Sequence, residues 1–485
     1  MFSEPEQSFG LWQKEKDFLA REKEKQPELF LRPPLIDDAA VLQSVGIDPV
    51  VFGTRQLGHI KLFPEDFIVE EVGKDKTLHT VDDLDASGFH AAPGEDARTV
   101  WVDAVKMGID TIEVVNELSR RLGIEKKQIG FAGIKDKYAL TSQPLSIRGS
   151  NGESCRSIRA SNFFLKNILA GKGALQPGDL SGNRFTILVR TPEALDSATM
   201  EERLKDIKEQ GFWNFFYLQR FGVPRLASHK LGLLILQGKY EDAVRVFLSV
   251  SSVRELPYFR MFRERVVSRW GRWEDMLQML DALPYSFRNE QIVVKYLITH
   301  PSDFNGALNQ LPEQVKLWVY AYASYCFNKV LSSFIKKGDE VPFELPLALS
   351  SDPRAKEYYG AFFEAHGIQP PFPALKPFPY VQKLGKNIET LKKFTLYGTK
   401  IVPQGVVTDF FLEKASYATT FLSHLFVLSS GQPVPHGISI EEIDAKVVLG
   451  TGTIGPLKTG KFKELFEMRK ETDILKAETE ESVQG

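Results

Sequence analysis

The residues best suited to chemistry lie in one short segment, Phe131-Ala-Gly-Ile-Lys-Asp-Lys-Tyr-Ala-Leu-Thr-Ser-Gln143. An apolar run over 129–134 reads as a strand and ends in a charged turn over 135–138, so Asp136 stands at the edge of a rigid element with a lysine on either side. A carboxylate in that setting can serve as nucleophile or base without first losing a proton. The same triplet is also a common solvated turn, and spacing alone does not separate the two.

Local charge adds to the picture. Between Ser119 and Lys166 there are ten Lys and Arg against three Asp and Glu, a local +7 in a chain whose net charge is −2. A basic surface around one anionic side chain suits a polyanion bound with its sugar beside a carboxylate, although a solvated basic helix and loop would look alike. A second cluster is Trp213-Asn-Phe-Phe-Tyr-Leu-Gln-Arg-Phe-Gly222. Its rings could stack on a splayed base while Asn214, Gln219 and Arg220 bond to base or phosphate. Phe215, Tyr217 and Phe221 taken singly read equally well as core.

Other chemistries are poorly supported. Gly450-Thr-Gly-Thr-Ile-Gly455 follows an apolar run, but Pro456 stands where a phosphate loop needs lysine. The 8 His show no metal-ligand spacing and no G-x-S-x-G elbow is present, so no metal site is expected. The 2 Cys, Cys155 and Cys326, read as buried thiols of a reducing cytoplasm.

Several elements must position these groups. Residues 59–72 read as strand, Pro turn, strand. Asp110 and Glu113 form a capping box for a helix with Ile112, Val115, Leu118 and Leu122 as its apolar stripe, and Gly123 stops it. Strands follow over 129–134, 139–147 and 185–189. From about 230 to 390 the texture changes to longer helical patterns such as 240–250 and 313–334. Strand-like alternation returns at 406–412, and a helix is expected over 417–426, so the middle region reads as an insertion. A leader helix is expected within 11–31, and the charged stretch from Lys463 is expected to be a solvated helix or disordered.

At 485 residues, 43% apolar and 26% charged, the chain has the composition of a folded multidomain protein. No apolar h-region opens it and no window is long enough to span a bilayer, so a cytoplasmic protein is expected.

The chain resembles the TruD family of pseudouridine synthases in three ordered motifs. These are Lys61-Leu-Phe-Pro-Glu-Asp-Phe-Ile-Val-Glu-Glu71, Ala132-Gly-Ile-Lys-Asp-Lys-Tyr-Ala-Leu-Thr-Ser-Gln143 and Asn214-Phe-Phe-Tyr-Leu-Gln-Arg-Phe-Gly222. Weaker echoes run through Gly182–Phe185, Ala321–Asn328 and Ser416–Thr419, so the likeness spans about 52–426. It implies an α+β fold: a catalytic domain on a mixed, largely antiparallel sheet, discontinuous over 52–229 and 391–430, with an inserted α/β domain over 230–390. Residues 1–51 would be an N-terminal extension and 431–485 a C-terminal extension, partly disordered.

The resemblance further implies Asp136 as the catalytic aspartate, Lys61 as the active-site basic residue and Phe216 as the active-site aromatic. Asn214, Gln219, Arg220, Lys135, Lys137 and Gln143 are the expected substrate-binding or supporting residues. The implied activity is isomerisation of uridine in tRNA, with uridine 13 the family-like target, by a monomer that uses no cofactor or metal and no membrane. Three positions depart from the usual motifs: Tyr217 replaces a glycine, Ala323 a frequent glutamine, and Tyr138 a histidine or arginine. Two other classes fit the residues: a non-catalytic RNA-binding or tRNA-folding module on the same fold, and a small-substrate glycosidase needing a second carboxylate such as Glu65 or Glu70.

Overall fold

A computed structural model describes residues 4–84, 98–193, 195, 197–381, 385 and 387–467. The chain divides into two compact units, each discontinuous in sequence. One comprises 1–55, 212–392 and 419–427; the other comprises 56–211, 393–418 and 428–485. The helix-rich unit therefore begins at Phe212 rather than near 230, and it takes in the N-terminal leader as well. Among the described residues no helix is long and apolar enough to cross a membrane.

The sheet of the second unit is built from β1 (Gln56–Ile60), β2 (Phe67–Gly73), β3 (Thr99–Met107), β4 (Ile129–Phe131), β5 (Leu140–Arg148), β6 (Phe163–Gly171), β7 (Leu180–Arg190), β8 (Thr395–Val402) and β9 (Gly405–Glu413). Spatial order runs β1-β7-β2-β5-β3-β6, with β9 pairing both β7 and β8, and β4 pairing β5. The β2–β5 ladder is parallel, Val69 opposite Thr141, and the other ladders are antiparallel. The sheet is thus mixed and largely antiparallel, as the motifs imply.

Strand alternation sorts the side chains of β3 to two faces. Val100, Val102 and Ala104 face helix α1 (Thr111–Leu122) together with Leu145, Ile147 and Phe163. Asp110 caps α1, Glu113 closes the capping box, and Gly123 ends the helix at φ 65°, where a side chain would be strained. The buried stripe of α1 is Thr111, Val114, Val115 and Leu118; the expected Ile112 is exposed, because the contact is centred one residue further round the helix. The opposite face carries Val105, Met107, Ile68 and Leu140, covered by Ile454, Leu457, Phe462 and Phe466. The expected C-terminal extension is therefore packed as far as Glu467, since its few apolar residues recur at helical spacing; the rest of the charged tail lies outside the described residues. Each buried phenylalanine there stabilises by about 1.5–3 kcal/mol.

The helix-rich unit is mostly α, with two short antiparallel pairs, Glu344–Pro346 with Asn387–Glu389 and Phe212–Trp213 with Leu391–Lys392. Its longest helix, α2 (Pro312–Lys337), buries Val315, Trp318, Val319, Tyr322, Cys326, Phe327 and Leu331 and stops at Gly338. The helix expected over 417–426 is shorter, Ala418–Ser423.

Candidate active site

Lys61 and Asp136 meet in the second unit. Lys61 follows β1 with φ 59°, in the left-handed region that costs a non-glycine residue about 1–2 kcal/mol. Two contacts fix its side chain. The ammonium lies 4.3 Å from the centre of the Phe67 ring and donates to Asp136 Oδ2 at 2.5 Å. Lys61 is largely covered, its side chain 17% exposed, whereas the Asp136 carboxylate is 56% exposed. The arrangement is an exposed carboxylate tethered through one oxygen to a largely covered cation. Backbone strain kept in such a place is a common mark of function.

The first motif supplies the foundation beneath Lys61. Asp66 is buried, accepts from the Phe63 backbone at 3.1 Å and takes a bidentate pair from buried Arg190 at 2.9 Å to each oxygen. Arg190 also donates to the carbonyls of Ser439 and Glu441, so the turn is clamped from below. Glu70 pairs with Lys446 at 2.7 Å and accepts from Val81 N. Glu65 is buried with Lys458 at 3.8 Å. Glu65 and Glu70, the carboxylates a glycosidase would need, are therefore both buried, Glu70 paired with Lys446 and Glu65 near a lysine whose closer partner is Glu442 at 2.9 Å.

A third lysine, which sequence reading did not single out, holds the loop itself. Lys106 continues the inward row of β3, and its buried ammonium donates to the carbonyls of Ile109 at 2.8 Å, Lys135 at 3.3 Å and Asp136 at 2.7 Å. Burial pulls its pKa down to about 8, against the carboxylate of Asp136, which favours the charged form. The available signal was a lysine at the same parity as Val100, Val102 and Ala104, in a strand otherwise apolar on that side.

The expected substrate contacts divide. Lys135 does not reach the surface: its side chain is 5% exposed and its ammonium pairs with buried Glu71, whose carboxyl is pushed up by burial and held down by that lysine. Gln143 is also buried; its amide donates to Gly133 O at 2.8 Å and its oxygen accepts from Thr111 Oγ1 at 2.7 Å. Thr111 in turn accepts from Lys135 N. These groups shape the loop from inside because strand geometry at Gln143 and the turn at Lys135 both aim inward. Lys137 is exposed and pairs with Glu113 at 2.8 Å. Tyr138 is half exposed, its hydroxyl 3.4 Å from Leu62 O.

The third motif lies in the helix-rich unit. Phe216 is 8% exposed, and Asn328 of α2 clamps it by accepting from its N–H at 3.0 Å and donating to its carbonyl at 2.8 Å. Its ring meets Phe327 edge-on at 5.3 Å, and the Arg220 guanidinium lies 5.2 Å from its centre. Asn214 is buried and donates to Glu389 O, while its own N–H bonds to Thr390 O. His424 accepts from Trp213 N at 3.1 Å, which fixes its other nitrogen as the donor to Thr420 O; burial pulls its pKa down to about 4. Gln219 is exposed, 3.4 Å from Thr419 Oγ1. Tyr217 is buried with its hydroxyl on Asp37 Oδ2 at 2.8 Å, and Arg254 holds the other oxygen of Asp37. The glycine-to-tyrosine departure thus has a structural partner in the leader. Ala323 is fully buried in α2. Among the described residues no group of three or more His, Cys, Asp or Glu could hold a metal ion.

A family model described as tRNA pseudouridine synthase D (TruD) matches residues 45–346. Curated relatives carry the name "Probable tRNA pseudouridine synthase D". The one from Archaeoglobus fulgidus is 35% identical over 299 residues, covering 61% of this chain and 67% of its own length. The Methanopyrus kandleri protein is 30% identical over 336 residues, covering 65% and 82%. For the Methanococcoides burtonii protein the match is 34% over 251 residues, spanning little more than half of either chain, 50% and 56%. A crystal structure of a Methanosarcina mazei protein described as TruD superposes with TM-score 0.57 and 24% identity, covering 79% of this chain and 97% of that one, a likeness of fold.

Proposed function

The chain belongs to the tRNA pseudouridine synthase D (TruD) family, and from that premise we propose that it isomerises uridine to pseudouridine in tRNA, with uridine 13 as the target and Asp136 as the catalytic carboxylate. The observation that carries this reading is the Lys61–Asp136 pair, a solvent-facing carboxylate tethered at 2.5 Å on a loop otherwise locked by buried groups.

The chemistry suits these residue types. Breaking the C1′–N1 bond leaves oxocarbenium character on the ribose, which a neighbouring carboxylate can capture at C1′ or relieve by taking the 2′ proton. The uracil then turns and C5 bonds to C1′, as the carboxylate–C1′ bond breaks on the first route or as the 2′ proton is returned on the second; the C5 proton leaves and N1 gains one. The reaction is redox-neutral and transfers nothing to water, so it calls for no cofactor. Lys61 orients Asp136 and balances its charge until the sugar arrives. Lys106, Glu71, Lys135 and Gln143 act on the loop from inside, in place of the substrate contacts expected of Lys135 and Gln143.

Phe216 is the aromatic that the family resemblance implies for this chemistry, with Asn328 and Asn214 fixing its backbone, Arg220 beside its ring and Gln219 exposed. The uridine must leave its stack to be reached, as for other enzymes that act on a base.

The test is direct. Purified protein is incubated with unmodified tRNA transcripts, pseudouridine is derivatised with carbodiimide, and primer extension maps the stops. A stop at uridine 13 that vanishes in Asp136→Ala is the expected result. A stop that persists in the variant removes Asp136 from the chemistry. Tight tRNA binding with no stop on any transcript points to the non-catalytic RNA-binding module.

A further inference from the structure

The basic window over 119–166 does not offer all its charge to a ligand. Arg120 and Arg121 pair with Glu117, Lys127 with Glu125, Lys135 with Glu71, Lys137 with Glu113 and Lys166 with Asp82. Among the described residues, Lys126, Arg148, Arg156 and Arg159 have no carboxylate partner. Two of these four converge on one place.

Arg156 closes the short helix Gly152–Arg156 and Arg159 stands in the turn that follows; both are exposed. One nitrogen of Arg159 is tied back to the carbonyls of Arg156 and Ile158, at 2.6 and 2.9 Å, and its remaining donors have no partner among the described residues. These arginines edge a cleft of about 290 Å³ floored by Ile158, Phe164 and Ile168. Its third cation, Lys461, comes from more than 290 residues further along the chain. Lys461 sits in the turn after the helix Gly455–Thr459, with its ammonium 5.5 Å from the centre of the Phe164 ring. The next residue, Phe462, is buried and packs on that same ring at 5.6 Å. Lys166, also in the lining, is already neutralised by Asp82.

We propose that this cleft grips the phosphate backbone of the RNA through Arg156, Arg159 and Lys461, and that the packed C-terminal segment serves to deliver Lys461 to it. This rests on the RNA-modifying function above and adds where the polyanion is held. The three cations are long, exposed and spread round an open rim, which suits successive phosphates of a chain; a site for a small free phosphate would gather buried donors on one point. The apolar floor leaves room for a sugar face. Since Lys461 lies beyond the residues 45–346 matched by the family model, the grip joins a part of the chain within that match to one outside it.

The experiment uses the full chain with Arg156→Gln, Arg159→Gln and Lys461→Gln combined, and titrates tRNA transcript binding from about 50 to 200 mM salt. Every phosphate that goes unneutralised takes about 0.7–0.9 off the slope of log K against log salt, so a slope shallower by about two to three is expected. KM should rise on the order of tenfold while the single-turnover rate at saturating enzyme stays at the wild-type value, a split that follows from weaker ground-state binding alone. The charge-preserving set Arg156→Lys, Arg159→Lys and Lys461→Arg should restore the slope. Lys461→Gln alone, which removes an exposed side chain and leaves Phe462 in place, should lower it by about one. An unchanged slope in the triple variant overturns the assignment even if wild-type protein makes pseudouridine. Wild-type protein that binds tRNA with the steep slope, loses it in the variant and yet makes no pseudouridine leaves the grip standing and removes the proposed activity instead.

Discussion

The two motif-bearing regions are built by opposite means. Around Asp136 the support is ionic and buried: Arg190 on Asp66, Lys446 on Glu70, Lys135 on Glu71 and the Lys106 ammonium on three carbonyls. Around Phe216 the backbone is held mostly by neutral groups, the Asn328 carboxamide, the Asn214 amide, an uncharged His424 and aromatic packing, with the Arg220 guanidinium by the ring and the Asp37–Arg254 pair on Tyr217 as its charged contacts. The difference follows from what each must present. In the proposed function a carboxylate beside a polyanion needs a rigid loop, and buried ion pairs, neutral as pairs, fix that loop without offering cations to the phosphates. In the same reading the Phe216 ring needs rigidity, which the Asn328 and Asn214 amide bonds and the Phe327 ring provide.

Substitutions can break this contrast. The largest stability effect is expected in the ionic region: Asp66→Ala strands Arg190 in the interior, where an unpaired charge costs about 3–5 kcal/mol. Urea unfolding measures it, and a loss under about 1 kcal/mol would show that the pair is not structural. In the neutral region Asn328→Ala removes bonds to Phe216 N, Phe216 O and Val45 O, an expected loss of about 2–4 kcal/mol. The same variant should lower the single-turnover rate, because the Phe216 backbone is freed.

Lys106 gives the ionic region an alkaline pH signature. As an ammonium it donates to three carbonyls; as an amine it has two hydrogens, so the loop loses a tether as pH rises through about 8. An alkaline limb near pH 8 in the rate is expected, moved upward in Lys106→Arg. A flat profile to pH 9 would contradict the assignment. The smallest effect belongs to His424, whose folded pKa lies below its unfolded one. Its contribution is present above about pH 6.5 and is lost as pH falls toward 4, because the unfolded chain binds the proton first. His424→Gln should narrow the stability difference between pH 7 and pH 5.

Much of this was legible in the residues. Local chemistry read well where cap, strand and turn agree, as at Asp110, Glu113 and Gly123, and the ordered motifs pointed to the family and to the mixed sheet. Long-range partners did not read at all. Nothing near Lys135 in sequence announces Glu71, nothing near Asp66 announces Arg190, and Lys106 looked like a strand residue because its three acceptors are backbone carbonyls. The edges of the helix-rich unit were also hidden. Residues 212–229 carry an aromatic pattern that fits either unit, and what assigns them is packing against α2 and pairing with Leu391–Lys392. The C-terminal segment read only in part: residues 463–467 form the solvated helix its charge suggests, but the burial of Phe462 and Phe466 against one face of the sheet was not legible.

The central claim is that Asp136 carries the reaction from a preorganised loop. The most direct measurement is single-turnover release of tritium from C5-labelled uridine in tRNA, at saturating enzyme, by wild-type protein and Asp136→Asn. Loss of rate on the order of a thousandfold or more, with tRNA affinity and unfolding midpoint unchanged, is the predicted result. Tritium release by Asp136→Asn at the wild-type rate would contradict it.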